Sequence, residues 1–214
     1  LLDKVFDAEI HIVNLLENES FAEAEIRSFS MGADHVKSLE AAGHKCMDIP
    51  MGGANENGSA AYISGFIELY EQANKMHVKF DHLYHATGSG GTMAGLVAGQ
   101  KLIGAEMNIQ SILVLDPGQS YIPSKAELAN ATLGHIRSDI NVDQSDFTVR
   151  TEFYAPGYEC PNDGSTEAIK MLAKQEGLLL DRSGKISQGS NVVFLHTGGA
   201  TALFAEKEIL GGII

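Results

Sequence analysis

One stretch constrains this chain more than any other: an apolar run ends in a glycine-rich turn, and a second apolar run begins at once. Asp81-His82-Leu83-Tyr84-His85-Ala86 leads into Thr87-Gly88-Ser89-Gly90-Gly91-Thr92, and Met93-Ala94-Gly95-Leu96-Val97-Ala98 follows. The first run reads as a strand and the last as a helix. Glycines remove the Cβ atoms that would hold a ligand away from the backbone, and successive amides then converge on one spot. The helix opening at Thr92 adds unpaired N–H groups and the positive end of its dipole. The turn therefore reads as an anion cradle, against the plainer alternative of a tight strand-to-helix turn that holds nothing.

What the turn lacks narrows the anion. A nucleoside-triphosphate loop needs Gly-Lys followed by Ser or Thr at the helix start, and a dinucleotide fingerprint needs a third small residue where Met93 stands. Asp116, after Ile112-Leu113-Val114-Leu115, invites a ribose-binding role, yet an acid after a strand is usually a turn residue. A single phosphate on a small cofactor is what remains.

The partners are bounded by composition. The chain has 214 residues, 44% of them hydrophobic, enough for one core or a core and a smaller lobe. Its net charge of -13 argues against a nucleic-acid partner, since no basic cluster is present to neutralise a phosphate backbone. Two cysteines, Cys46 and Cys160, suggest reduced thiols in a cytoplasmic protein. No apolar run approaches the ~18 residues of a membrane span, and no export leader is evident, so neither membrane insertion nor secretion is expected.

Apolar runs alternate with helical patterns along the chain. Helices are expected over about Ser20 to Ala42, from the Gly/Asn turn at Gly52 to Gly58 as far as Ala73, from Thr92, over Ser124 to Arg137, Ser165 to Glu176 and Ala200 to Glu208. Strands are expected at Ile10-His11-Ile12-Val13, a short run at Lys45 to Ile49, Asp81 to Ala86, Gln110 to Leu115, Asp146 to Tyr154 and Asn191 to Leu195. Such alternation implies an α/β fold, an open and mostly parallel sheet with helices on both faces. A shift in glycine and acid content near Cys46 suggests two lobes, a smaller one over residues 1–46 and a larger cofactor-binding one over 47–214.

Two further loci carry chemistry. His196-Thr197-Gly198-Gly199-Ala200 follows the last strand as the cradle follows its own. Because ligands in open α/β sheets bind beyond the carboxyl ends of strands, the two turns are expected to share a crevice. Thr197 offers a hydroxyl that can face a ring nitrogen without protonating it; the alternative is that it caps the final helix. The loop Tyr154-Ala155-Pro156-Gly157-Tyr158-Glu159-Cys160-Pro161-Asn162-Asp163-Gly164 is stiffened by proline and suits a pocket wall, with Tyr158 as a phenol that donates or accepts; Cys160 has nothing beside it to lower its pKa and reads as inert. No metal site is expected. His82 and His85 point to opposite faces of a strand, and His11, His35, His44, His77 and His135 each stand alone in the sequence.

In this order, the cradle with Ala94-Gly95-Leu96, Tyr154 to Tyr158 with Pro161-Asn162, Glu167-Ala168-Ile169-Lys170, Glu176-Gly177-Leu178-Leu179-Leu180-Asp181 and His196 to Ala200 resemble the D-cysteine desulfhydrase and 1-aminocyclopropane-1-carboxylate deaminase family. The resemblance extends to Ile49-Pro50-Met51-Gly52-Gly53 and covers almost the whole chain. It implies a pyridoxal-phosphate enzyme of fold type II, the tryptophan-synthase-β type, and generally a homodimer. Carried over, Thr87, Gly88, Ser89, Gly90, Gly91 and Thr92 hold the cofactor phosphate, chiefly through backbone N–H groups and the Thr92 hydroxyl. Thr197 faces the pyridine nitrogen and Tyr158 lines the substrate site. The His-Thr-Gly-Gly form is similar to the desulfhydrase branch, where the deaminase branch tends to carry His-Leu-Gly-Gly, which implies a small D-amino acid, D-cysteine, split to pyruvate, ammonia and sulfide.

The chain also departs from that pattern. In the family, the Schiff-base lysine and a serine-asparagine segment lie upstream of the position matching Leu1, and neither has a counterpart here. A segment with a second tyrosine stands between the motifs that match Asp181 and Arg182, which here are adjacent. The fold is expected to be incomplete at both places. Asp181 and Arg182 are accordingly expected to lie farther apart than the ~3.8 Å between Cα atoms across a trans peptide.

Overall fold

The computed structural model describes residues 5–115, 121–155, 157, 163–176 and 191–197. They divide into two units, Leu1–Asp48 and Ile49–Ile214.

The first unit is built on one helix, α1, Phe21–Ala41. Ser20 caps it: the Glu23 N–H donates to Ser20 Oγ at 3.3 Å, and the Ser20 N–H donates to the Glu23 carboxylate at 2.9 Å. Arg27 ties the entry of the chain to the helix, donating to Glu19 Oε1 at 2.7 Å and to the Asn14 carbonyl at 2.7 Å. Beside it, the Glu19 carboxyl is held down to about 2, first by that Arg27 bond. Neither Ile10–Val13 nor Lys45–Ile49 forms a strand. Both have the composition of one, but among the described residues no neighbouring strand accepts their backbone groups, and extended chain becomes a strand only by pairing.

In the second unit, helices and strands alternate: α2 Glu56–Lys75, β1 His82–Thr87, α3 Gly91–Ile103, β2 Asn108–Leu113, α4 Tyr121–His135, β3 Val149–Arg150, α5 Asp163–Glu176 and β4 Val192–Leu195. The strands make one parallel sheet in the order β3-β2-β1-β4. Each parallel connection runs through a helix, as that geometry requires. The chain moves outward from β1 through β2 to β3, then returns to place β4 on the other side of β1. Such a reversal beside a central strand is where open α/β sheets bind ligands.

The expected strand over Asp146 to Tyr154 shrinks to Val149–Arg150. Asp143 and Asp146 cap each other around a tight 3₁₀ turn, Gln144–Asp146, and Lys101 grips Asp146 at 2.7 Å, so the chain arrives at the sheet late and pairs with β2 over two residues.

The core lies between the sheet and the helices α2, α3 and α4. Phe66, Leu83, Met93 and Leu113 are fully buried in it. Helices α2 and α3 approach closely because Gly95 and Gly99 face α2: a Cβ on Gly95 would sit 2.6 Å from Tyr62 Cβ, and one on Gly99 3.0 Å from Phe66 Cβ. Real side chains do not pack that tightly, so glycine is required at Gly95.

Candidate functional site

The cradle forms where β1 ends. Gly90 is the N-cap of α3, with φ 85°, a left-handed conformation that glycine adopts without penalty. Among the described residues no side chain caps this helix, and its first turn holds no acid, in contrast to Glu23 in α1, Glu56 in α2 and Asp163 in α5. The first backbone bond inside the helix runs from the Ala94 N–H to the Gly90 carbonyl, at 2.9 Å. The N–H groups at the start of α3 are therefore open to an anion in a chain that is otherwise strongly acidic.

A second loop lies against the turn. Met51–Gly53 is a 3₁₀ turn in which Gly52 has φ 66°, and a Cβ there would overlap Ser89, reaching its Cβ at 2.8 Å. A Cβ on Gly91 would lie 3.0 Å from Ala54 Cα. Added atoms at either glycine would push the two loops apart. Asn55 then caps α2, accepting from the Gly58 N–H at 2.9 Å.

Helix α4 brings two side chains that the sequence reading missed. The Tyr121 hydroxyl donates to the Gly88 carbonyl at 2.9 Å and lies 3.0 Å from Thr87 Oγ1, so the Thr87 hydroxyl proton is directed to Tyr121. Thr87 is buried, and its carbonyl accepts from the Val114 N–H. Its side chain thus anchors the base of the turn. Desolvation raises the pKa of Tyr121, which keeps the phenol protonated to serve this bond. Lys125, one turn on, lays its stem across Gly90, with Cδ 2.5 Å and Cε 2.7 Å from the place a Gly90 Cβ would take.

On the other flank, β4 pairs with β1 so that His85 stands opposite Leu195. Thr87 and Thr197 each lie two residues past that rung, at the same end of adjacent parallel strands. Thr197 is exposed. Tyr158, Cys160, Asp116, Gly198 to Ala200 and the junction of Asp181 with Arg182 lie outside the described residues.

Beneath the turn sits a buried polar pair. His85 Nδ1 is 3.0 Å from the Ala86 carbonyl and Nε2 is 2.8 Å from Ser111 Oγ. A carbonyl only accepts, so the proton is on Nδ1 and the Ser111 hydroxyl donates to Nε2. Burial pushes the His85 pKa down to about 4, so the ring is neutral at ordinary pH. The register that sets His85 against Ser111 creates the pair.

The histidines also need a correction. His11 and His35 do not stand apart: their rings lie 4.9 Å from each other, and with Glu9 they place three possible metal-ligand atoms within 4.8 Å of one another. All three side chains are exposed, and Glu9 already bonds His11 at 2.9 Å.

The pyridoxal-phosphate dependent enzyme family matches residues 1–198 of this sequence. The chain belongs to that family. D-cysteine desulfhydrase of Serratia proteamaculans (strain 568) is 32% identical over 188 residues, which is 81% of this chain and 56% of the relative. A Thermotoga maritima protein provisionally named 1-aminocyclopropane-1-carboxylate deaminase is 32% identical over 221 residues, 98% of this chain and 67% of the relative. A solved structure described as an ACC deaminase homologue superposes with a TM-score of 0.82 at 23% identity, over 100% of this chain and 65% of its own. That likeness shows the fold, fold type II. The chain spans little more than half the length of the Serratia protein. Among the described residues, no helix is long and apolar enough to cross a membrane.

Pyridoxal phosphate, the cofactor of this family, suits the cradle at its phosphate end. The helix start, with no side-chain cap from its Gly90 N-cap and no acid in its first turn, supplies backbone donors for it.

Proposed function

We propose that this chain supplies the phosphate-binding and ring-nitrogen side of a pyridoxal-phosphate lyase that eliminates sulfide from D-cysteine or a related small D-amino acid. The observation that carries this reading is the uncapped, acid-free start of α3, introduced by a left-handed Gly90 at the end of the central strand. The D-cysteine desulfhydrases among its relatives support the choice of substrate class, as does the His-Thr-Gly-Gly form of residues 196–199.

Backbone N–H groups from Gly88 to Thr92, with the Thr92 hydroxyl, would bind the phosphate, while Tyr121 keeps the turn in shape from below. Thr197 would face the pyridine nitrogen with a neutral hydroxyl. That leaves the ring less electron-withdrawing than a carboxylate partner would, and favours elimination over transamination. Tyr158 would line the substrate site. Pyridoxal phosphate, when bound, provides the electron sink for loss of the α-proton and departure of the β-substituent. A homodimer in the cytoplasm completes the proposal.

A second reading, ring opening of 1-aminocyclopropane-1-carboxylate, is favoured by the Thermotoga relative. Incubation of the protein and pyridoxal phosphate with each compound separates the two. Sulfide and pyruvate from D-cysteine support the first, and 2-oxobutyrate from the cyclopropane amino acid supports the second. Bound cofactor with turnover of neither compound would point to a non-catalytic cofactor-binding protein.

A further inference from the structure

Charge is unevenly matched around the cradle. Its donors are backbone amides, which carry only partial charges, whereas a phosphate monoester brings about -1.5 to -2 at neutral pH. The chain as a whole is at -13 and repels such a ligand at long range. A full positive charge beside the turn would answer both difficulties, and one side chain stands where it could.

Lys125 reaches the turn from α4. Its Cγ, Cδ and Cε lie 3.0, 2.5 and 2.7 Å from the ideal position of a Gly90 Cβ, so the ammonium group is one bond beyond a stem that crosses the N-cap of α3. Among the described residues no carboxylate pairs with it, whereas Lys37, Lys79 and Lys101 pair with Asp34, Glu106 and Asp146. Its charged end lies 5.3 Å from the centre of the Tyr121 ring, the same side chain whose hydroxyl holds Gly88. The first turn of α4, like that of α3, has no acid.

We propose that Lys125 is the counter-ion of the cofactor phosphate, set beside the turn by its packing over Gly90 and Tyr121. The inference rests on the reading of the turn as the phosphate site and adds a side chain to it. Gly90 then serves two purposes: it provides the left-handed bend, and it leaves the space through which the lysine stem passes. Burial lowers the Lys125 pKa, so the ammonium is poorly compensated on its own. A phosphate alongside would offset that. Lysine suits the task because its compact charge adds to a ring of amides without needing the paired geometry of a guanidinium.

The plainer account makes Lys125 an ordinary surface lysine that packs on Tyr121. The two accounts differ in what they say about a ligand without a phosphate. Binding of pyridoxal phosphate and of pyridoxal, followed by absorbance and protein fluorescence, is compared for the wild-type protein, Lys125→Met and Lys125→Arg. The expected result is that Lys125→Met weakens pyridoxal phosphate about ten-fold or more, the usual worth of a charge-assisted bond. It should leave pyridoxal within about two-fold, and raising the salt should shrink the difference. Lys125→Arg, which keeps the charge, should restore most of the affinity.

Equal weakening of both ligands would mean that Lys125 only shapes the turn, and no weakening would mean that it is solvated; either overturns the proposal. Borohydride reduction of the complex and peptide mapping should find Lys125 unmodified, and a cofactor label on it would make it the covalent lysine instead. If the wild-type protein binds neither compound, the phosphate-site reading fails and the counter-ion falls with it. If wild type binds and Lys125→Met matches it, the counter-ion alone fails.

Discussion

Helices α1 and α3 are closed and open at opposite places. α1 has a capped N-terminus, with Ser20 and Glu23 bonding each other, while Ile26, Phe29 and Met31 along its length are more than half exposed. α3 has no side-chain cap at its N-terminus, yet Met93 and Ala94 through Gly99 are buried against α2 and the sheet. The first helix is fixed at its end and the second along its face. Packing stabilises α3 strongly enough that its terminal N–H groups need no partner from the chain, which is what leaves them available to a ligand. A helix that relied on its cap could not offer the same site.

The sharpest test of this contrast exchanges glycine for alanine in each helix. Gly95→Ala should destabilise the second unit by about 3 kcal/mol, because the new methyl meets Tyr62 and the α2 backbone. Gly32→Ala in α1, where nothing lies within 4 Å, should be neutral or stabilise its helix by up to about 1 kcal/mol. Urea midpoints at constant slope would show it. Equal effects would break the comparison.

Next in size is a pH effect confined to the packed unit. The His85 pKa is lowered in the folded protein to about 4 from an unfolded value of 6.5, so its contribution to stability is complete above pH 6.5 and is lost as pH falls through 4. The loss by pH 4 is about 2–3 kcal/mol. His85→Gln should flatten that acid limb in denaturation curves measured from pH 7 to pH 4. An unchanged slope would mean that the ring is not buried neutral.

The smallest effect belongs to the other helix. Ser20→Ala removes the cap of α1 and should cost about 1 kcal/mol, felt locally. Hydrogen exchange should speed up in the first turns of α1 while the amides of β1 and α3 keep their protection. Loss of protection in both units would join what the contrast separates.

The cradle was legible because its evidence is local: a strand, three small residues and a helix in consecutive positions, with the left-handed glycine at Gly90. Tyr121 and Lys125 were not, since they come from a helix beyond the next strand, and only the folded sheet brings that helix over the turn. His85 occupied a middle ground. Its alternation with Leu83 put it on the buried face, but its partner Ser111 depends on the register of two strands, which no sequence pattern states. The misjudged strands share one cause. Ile10 to Val13 and the ends of Asp146 to Tyr154 have strand-like residues that, among the described residues, find no neighbour to pair with. His11 and His35 erred in the opposite sense, far apart in sequence and side by side in space.

The parallel register of β1 and β4 also acts as a gauge. Adjacent parallel strands keep about 4.8 Å between them, and the ladder that pairs His85 with Leu195 fixes how far each strand extends before its turn begins. On the proposed reading, the two turns grip opposite ends of one rigid molecule, so the span between phosphate and ring nitrogen is dictated by the sheet. A cofactor analogue with one extra methylene in its phosphate arm could satisfy the amides at Gly91 or the hydroxyl at Thr197, but would overshoot the other. Selectivity for arm length would then reside in the strand ladder, out of reach of any substitution in the turns themselves.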